Sequence, residues 1–515
     1  MREGKNAILI SDEPQYTGMT ITGTGEKQAG YGLLIFSISL AMFMTALDGT
    51  IVNIALPTIS ESFGVATSAV SWVATSYLLV MAGCALVFGK ISDVIGFKKV
   101  FLTGFVIFTI GSFACGFLPD FFDSLTWLIV SRIFQAVGGA MIASIAPAMI
   151  TAFIPMDQKG KAMAIVMMLA ALGTAIGPTI GGFLTQYFSW HAIFFINIPI
   201  GILAVILGAK VIPSGRTDAN LAGFDRAGAV LVFVGLASLL FVVSEGETMG
   251  WTSPAILLIT ALAVVTLGWF VRHELATADP ILNLNLFRNR NFLFTNLLLA
   301  LVFFSFAGIN YLLPFYLKYV RNYDTSSAGL IMTSLSFAMM GAGLLSGILY
   351  NRTGPRPLCI GAGAILTLGY FLMTKLQVDT HAGYIVLCLA LIGFGLGLII
   401  TPVSSMIMNS VSRKEQGMVS SLTSIERFVP LTLGIAVFNL IFISGVIRIA
   451  NSHEVTRNSA STLQLQVISA GFDLAFFASF VLGIAILIIA FFAREEIHPD
   501  NKDGQGGSEP GMGMV

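Results

Sequence analysis

The chain has 515 residues, 56% of them hydrophobic and only 10% charged, with a mean hydropathy of +0.87. A soluble domain carries about 25% charged residues, so this composition leaves too little polar surface for a water-soluble or disordered protein. The 27 basic and 27 acidic residues cancel, so no global field attracts a polyanion such as nucleic acid.

In chain order, residues 1–30 are polar and carry charges, Thr, Gly and Pro. They read as a disordered tail, and the apolar run that follows is too long for the core of a cleavable signal peptide. A membrane helix needs roughly 20 mostly apolar residues. Fourteen such runs follow, at about 33–57, 69–90, 100–118, 125–152, 162–184, 191–211, 226–244, 253–272, 292–318, 327–350, 357–376, 383–411, 416–445 and 471–493. The polar, Gly-rich residues 496–515 form a second tail. The sequence thus predicts an all-α integral membrane protein. Cys84, Cys115, Cys359 and Cys388 all fall inside apolar runs without metal-ligand spacing. They read as small apolar packing rather than disulfides or a metal site.

Charge placement supports the count. With a cytoplasmic amino terminus, the connections after even-numbered spans are cytoplasmic. Twenty Lys and Arg then lie inside, two (Arg132 and Arg427) within helices, and only Lys318, Arg321, Lys375, Arg448 and Arg457 outside. That bias is the positive-inside pattern of a cell membrane protein with both termini cytoplasmic.

The connection after the second span, Gly89 to Lys99, recurs after the tenth. Gly89, Asp93 and Gly96 match Gly347, Asn351 and Gly354 at identical spacing, 258 residues on. Two related six-helix halves with an inserted helix pair explain that offset, as in transporters built from parallel repeats. Gly89 would let helix ends approach, Asp93 would receive a helix amino terminus, Gly96 would permit the turn, and Lys98 and Lys99 would anchor the face. The segment reads as a conformational latch, or else as an ordinary tight turn.

Several residues are costly in a membrane. A carboxylate in mid-helix costs about 2.5–3.5 kcal/mol on insertion scales, so Asp48 is expected to face a cavity and exchange a proton for substrate. The alternative is a packing bond to Thr50 or Asn53. Arg132 keeps its charge and needs an anionic or carbonyl partner, with Gln135 on its own face at i+3. Gly173, Gly177 and Gly181 form one smooth helix stripe, and Pro178 can kink that helix. Glu426 and Arg427 are neighbours about 100° apart around one helix. Either one faces the cavity, and Glu426 is a second candidate for protonation or substrate binding. Asn53, Tyr77, Asn310 and Tyr311 are candidates to line a substrate cavity, since aromatic faces attract organic cations. Asp225 and Asp473 read as helix caps, Glu245 as a solvated residue and His191 as a surface or capping residue. No phosphate-binding loop, catalytic triad or metal cluster stands out, so neither an enzyme nor a cofactor protein is expected.

The Gly89–Lys99 segment resembles the signature loop of the major facilitator superfamily. Leu47-Asp48-Gly49-Thr50-Ile51-Val52-Asn53-Ile54-Ala55-Leu56-Pro57 resembles the first-helix motif of its fourteen-helix drug:proton antiporters of the EmrB/QacA type. Arg132 to Ala140 is similar to the family's fourth-helix motif. Gly173-Thr-Ala-Ile-Gly177-Pro178-Thr-Ile-Gly181-Gly182 is similar to its antiporter motif, and Trp190 to Gly201 also fits. The resemblance implies the major facilitator fold: bundles over 31–212 and 286–495, with two inserted helices in 213–285. It further implies that Arg132 takes part in proton coupling with Asp48, and that the Gly173–Gly181 stripe seals or rocks between states, although static close packing predicts the same small residues. The expected function is proton-coupled efflux of amphipathic, often cationic, small molecules, with substrate, protons and the bilayer as partners and accessory subunits left open. A dedicated exporter of one metabolite or lipid-like compound, an importer and a transport-inactive sensor are the alternatives.

Overall fold

A computed structural model of the protein describes residues 24–213, 225–277, 280, 282–412, 416–452 and 461–499. Within a bilayer every backbone N–H and C=O must be satisfied inside the protein, which leaves helices as the spanning form of such apolar runs. The first half holds α1 (Thr24–Phe63), α2 (Thr67–Ile95), α3 (Phe97–Phe121), α4 (Leu125–Phe153), α5 (Met156–Tyr187), the single turn α6 (Ala192–Phe195) and α7 (Asn197–Val211). The inserted pair is α8 (Arg226–Met249) and α9 (Pro254–Ala276). The second half holds α10 (Arg290–Phe315), α11 (Thr325–Thr353), α12 (Pro355–Met373), α13 (Ala382–Asn409), α14 (Gln416–Ser452) and α15 (Ser461–Phe492). Together α6 and α7 make the sixth span, so fourteen spans are long and apolar enough to cross a membrane.

Two boundaries differ from the sequence expectation. Helix α1 starts at Thr24, inside the segment read as a disordered tail. Helix α15 starts at Ser461, so Asp473 lies in the helix interior rather than at its cap. Asp225 does cap α8: its Oδ1 accepts the Gly228 N–H at 2.8 Å. The His273 ring nitrogen of α9 lies 2.7 Å from the same oxygen. Burial opposes ionisation of Asp225, but the Gly228 amide and His273 outweigh it and hold the carboxyl below its ordinary range.

The halves repeat one packing pattern. α1 packs on α5, α2 on α4, α3 on α4 and α3 on α7; likewise α10 packs on α14, α11 on α13, α12 on α13 and α12 on α15. The halves meet along two seams, α2 with α14 and α5 with α11. These are also equivalent positions exchanged, as a pseudo-twofold axis between the halves requires. The repeated turns match too: Gly96 (φ 89°) and Gly354 (φ 76°) both adopt a conformation open to glycine.

The α2–α14 seam carries an addition. Helix α8 packs on both α2 and α14. Trp72 Nε1 donates to Glu245 Oε1 at 2.8 Å, so Glu245 is bonded into the fold and not merely solvated. The Trp72 ring lies 6.1 Å from that of Phe241. Gly83 leaves room for Phe233, which would collide with any Cβ there.

Hydrogen bonds joining the halves cluster at the end that carries the connections after odd-numbered spans. Lys318 Nζ donates to Thr58 Oγ1 at 3.0 Å and pairs with Glu61 at 2.5 Å. The Thr325 N–H donates to Gln186 Oε1 at 3.3 Å. Tyr311 Oη donates to the Thr67 carbonyl at 2.7 Å. The molecule is therefore latched at the odd-loop end. A partly exposed ion pair is worth about 0–1 kcal/mol. Lys318→Gln is accordingly expected to shift the population towards an odd-loop-open state by roughly fivefold or less, read as a spin-label distance between the ends of α1 and α10. An unchanged distance distribution would make the pair a bystander.

Candidate functional site

Five helices of the first half, α1, α2, α3, α4 and α7, contribute to a cluster around one carboxylate. Asp48 lies in mid-α1 and is fully buried (0% exposed), as is Arg132 of α4 (2%). Arg132 Nη1 donates to Asp48 Oδ2 at 2.8 Å. Asp48 Oδ1 accepts from Gln135 Nε2 at 3.0 Å and from Asn197 Nδ2 at 2.9 Å. Arg132 is held in turn by Gln135 Oε1 at 2.6 Å and by the Val73 carbonyl at 3.3 Å. Its guanidinium stacks 3.9 Å from the Tyr77 ring centroid. Ser112 Oγ accepts from Gln135 Nε2 at 2.7 Å.

Local sequence makes this convergence feasible. A Cβ on Gly111 would lie 2.6 Å from Gln135 Cα, and one on Gly138 would lie 2.5 Å from the Gly104 carbonyl oxygen and the Phe108 nitrogen. Only glycine lets α3 and α4 approach this closely, which brings Ser112 to Gln135. Asn197 opens α7, and the connection from Trp190 turns it beneath α1.

The chemistry of the cluster is one-sided. Every contact that Asp48 makes here is a donated hydrogen bond, and an ionised carboxylate is an acceptor only. The Gln135 oxygen is already occupied by Arg132. The arrangement therefore fits the ionised acid. A proton arriving on Asp48 would displace at least one of three donors and leave Arg132 without its counter-charge.

The structure brings Asp48, Arg132 and Tyr77 together with Gln135, but the other expected residues lie elsewhere. Asp48 does not face an open cavity in this conformation; it is enclosed by amides and the guanidinium. Tyr77 is buried against Arg132 and lines no open cavity. Tyr311 is buried and tied to Thr67 across the halves, with Asn439 Oδ1 at 3.5 Å. Asn53 is buried and Asn310 half-buried, and among the described residues no hydrogen bond links either to the Asp48 cluster. Glu426 is buried on α14, where its Oε2 has no hydrogen-bond partner, while the neighbouring Arg427 is exposed. Val429 and Leu433, on the Glu426 stripe of α14, pack towards α2 and α8 around a small void.

The conformational motifs divide in two. Gly173, Gly177 and Gly181 face α1, within one half: a Cβ on Gly173 would lie 2.5 Å from the Phe43 oxygen, and one on Gly181 2.6 Å from the Ile51 oxygen. The contact across the halves is made instead by Pro178 and Gly182. A Cβ on Gly182 would lie 2.5 Å from the Thr325 oxygen, and Gly329 of α11 fits against the Pro178 carbonyl. Gly89 meets open space: a Cβ there would have nothing within 4 Å, so this glycine does not serve close approach here. Lys98 Nζ donates to the Ala209 carbonyl at 2.7 Å, capping α7. The Asp93 side chain lies outside the described ones.

Sequence reasoning missed Asn197 as a partner of Asp48 and Ser112 as the acceptor that holds Gln135 and Asn197 in place. Asn197 carried a signal, since an amide inside an apolar span needs a partner. Ser112 carried none, because a serine in a membrane helix satisfies itself on its own backbone.

The family model described as "Major Facilitator Superfamily" matches residues 38–435. The chain is 32% identical over 468 residues to a riboflavin transporter, RibZ, of Clostridioides difficile (strain 630), covering 90% of this chain and 98% of that protein. It is 32% identical over 416 residues to the multidrug transporter protein MdtP of Bacillus subtilis (strain 168), covering 81% and 76% respectively. The fold is similar to the crystal structure of a D-xylose-proton symporter, with a TM-score of 0.64 at 14% identity, covering 90% of this chain and 98% of that one.

Proposed function

From the premise that the chain belongs to the major facilitator superfamily, we propose that it is a proton-coupled exporter of amphipathic, often cationic, small molecules. It sits in the cell membrane with both termini cytoplasmic and works by alternating access. The observation that carries this reading is the Asp48–Arg132 pair, enclosed at 2.8 Å inside the first half. A proton on Asp48 breaks that pair and loosens α1 against α4 and α7. Loss of the proton restores it. Substrate binding on one side and proton binding on the other thus alternate, with Arg132 setting the exchange and Glu426 a second proton or substrate site. The names of relatives, MdtP among them, support drugs as cargo.

The energetics are adequate for export. One charge moving through 100 mV supplies about 2.3 kcal/mol, and each pH unit about 1.36 kcal/mol. One proton sustains a modest outward gradient; two sustain a steep one.

A second reading is favoured by the match to RibZ along nearly its full length: export or exchange of a single metabolite by the same machinery. One experiment addresses both. Inverted vesicles holding the protein are energised, and proton release is followed on adding cationic dyes, with Asp48→Asn alongside. Release that is lost in a normally inserted Asp48→Asn supports the proposal. A native protein silent to a broad panel of compounds turns the reading towards a dedicated transporter, and a fully active Asp48→Asn removes this carboxylate from the mechanism.

A further inference from the structure

A cavity of about 560 Å³ opens on the flank of the second half, among α12, α14 and α15 at the odd-loop end. That volume lies within the roughly 300–1,000 Å³ typical of small-molecule sites. Its walls include Phe371, Leu474 and Phe477, all exposed on the surface that meets lipid in a bilayer. Lys375, Arg448 and Asp473 line it as well, one from the end of each of two helices and one from the interior of the third.

Those polar residues are out of place on general grounds. Only five basic residues fall in the odd-numbered connections and their flanking ends, yet two of the five, 73 positions apart in sequence, meet here. Asp473 lies inside the fourteenth span, Leu465–Phe492, where a carboxylate is costly. It does not cap its helix, and among the described residues the ion pairs are Asp48–Arg132, Asp120–His191, Asp225–His273 and Glu61–Lys318, so no cation among the described residues lies within 4 Å of it. Lys375 is steered over the Phe371 ring, 5.5 Å from its centroid. The cavity therefore presents two positive groups, one negative group without an ion-pair partner among the described residues, and an apolar wall.

We propose that this cavity binds one zwitterionic aminophospholipid of the surrounding leaflet. The phosphate sits between Lys375 and Arg448, charge-assisted on both sides. The primary ammonium of the headgroup donates to Asp473, and an acyl chain lies along Leu474 and Phe477. An anionic lipid would satisfy the two cations but leave Asp473 unpaired. A choline headgroup would offer Asp473 a charge but no N–H.

The test uses the full chain in nanodiscs of equal parts phosphatidylethanolamine, phosphatidylglycerol and phosphatidylcholine, with retained lipid counted by native mass spectrometry after gentle extraction. The native protein is expected to keep phosphatidylethanolamine in preference to both others. Lys375→Gln with Arg448→Gln is expected to lower that retention tenfold or more. Asp473→Asn is expected to keep lipid binding but lose the preference over phosphatidylglycerol. The headgroup ranking of the native protein decides the matter even if the double variant unfolds. Equal retention of all three lipids by the native protein, unchanged retention in a folded double variant, or displacement of the lipid by a cationic dye at the same cavity would each overturn the proposal.

Discussion

Arg132→Ala is expected to destabilise the protein by about 3–5 kcal/mol, the range for removing one partner of a buried ion pair. The size follows from what stays behind. Asp48 remains fully buried with only two amide donors, and the Tyr77 ring loses the guanidinium stacked on it. Changing both charges, Asp48→Asn with Arg132→Gln, is expected to cost less than the sum of the single changes, because no charge is then stranded. Arg132→Lys keeps the charge but gives up the planar fork that reaches Asp48, Gln135 and Val73 together, so it should fall between native and Ala. Thermal unfolding of the purified variants in one detergent gives the order directly. A single Ala variant as stable as the native protein would mean that the pair is not closed in the membrane.

Two glycines on the same helix are expected to fail differently. Gly177→Val pushes a side chain into Thr50 and to within 3.3 Å of the Ile51 nitrogen, all inside one half. Overpacking of that kind costs about 1–3 kcal/mol in every conformation, so its melting temperature should drop. Gly182→Val instead meets the Thr325 backbone of the other half. It should leave each half intact but prevent closure at the odd-loop end. The expected result is near-native thermal stability, at least a tenfold loss of transport, and faster thiol labelling of a cysteine placed at Thr325. Normal transport by Gly182→Val would show that this contact opens and closes without strain.

The architecture was legible because lipid leaves so few options. Apolar runs of the right length, their charge bias and the repeated Gly-x3-Asx-x2-Gly spacing together predict fourteen spans in two related halves with an insertion. Asp48 and Arg132 were legible for the same reason, since a charge inside such a run stands out. Their enclosure was not. Sequence shows that the two charges are costly; it does not show that amides from α4 and α7 close around them in place of water. Direction around a helix was also hidden. The spacing of Gly173, Gly177 and Gly181 marks a smooth stripe, but only packing shows that it faces α1 while Pro178 and Gly182, one position on, face α11. Asp473 was misplaced because the apolar signal begins about ten residues after α15 does. Glu245 found its partner in Trp72, 173 positions away, a contact without local trace.

The placement of α8 makes the molecule lopsided. It packs on α2 and α14 together, held to α2 through Trp72, Phe233 and Phe241, whereas the α5–α11 edge lays small residues face to face and adds the Gln186–Thr325 and Thr179–Thr333 hydrogen bonds. A book bound on one side opens on the other. The α8 flank is expected to behave as the spine, stretching little while the covers swing. Bulky apolar molecules dissolved in the bilayer would then find the spine shut to them and the fore-edge, beside α5 and α11, the side from which the interior can be reached.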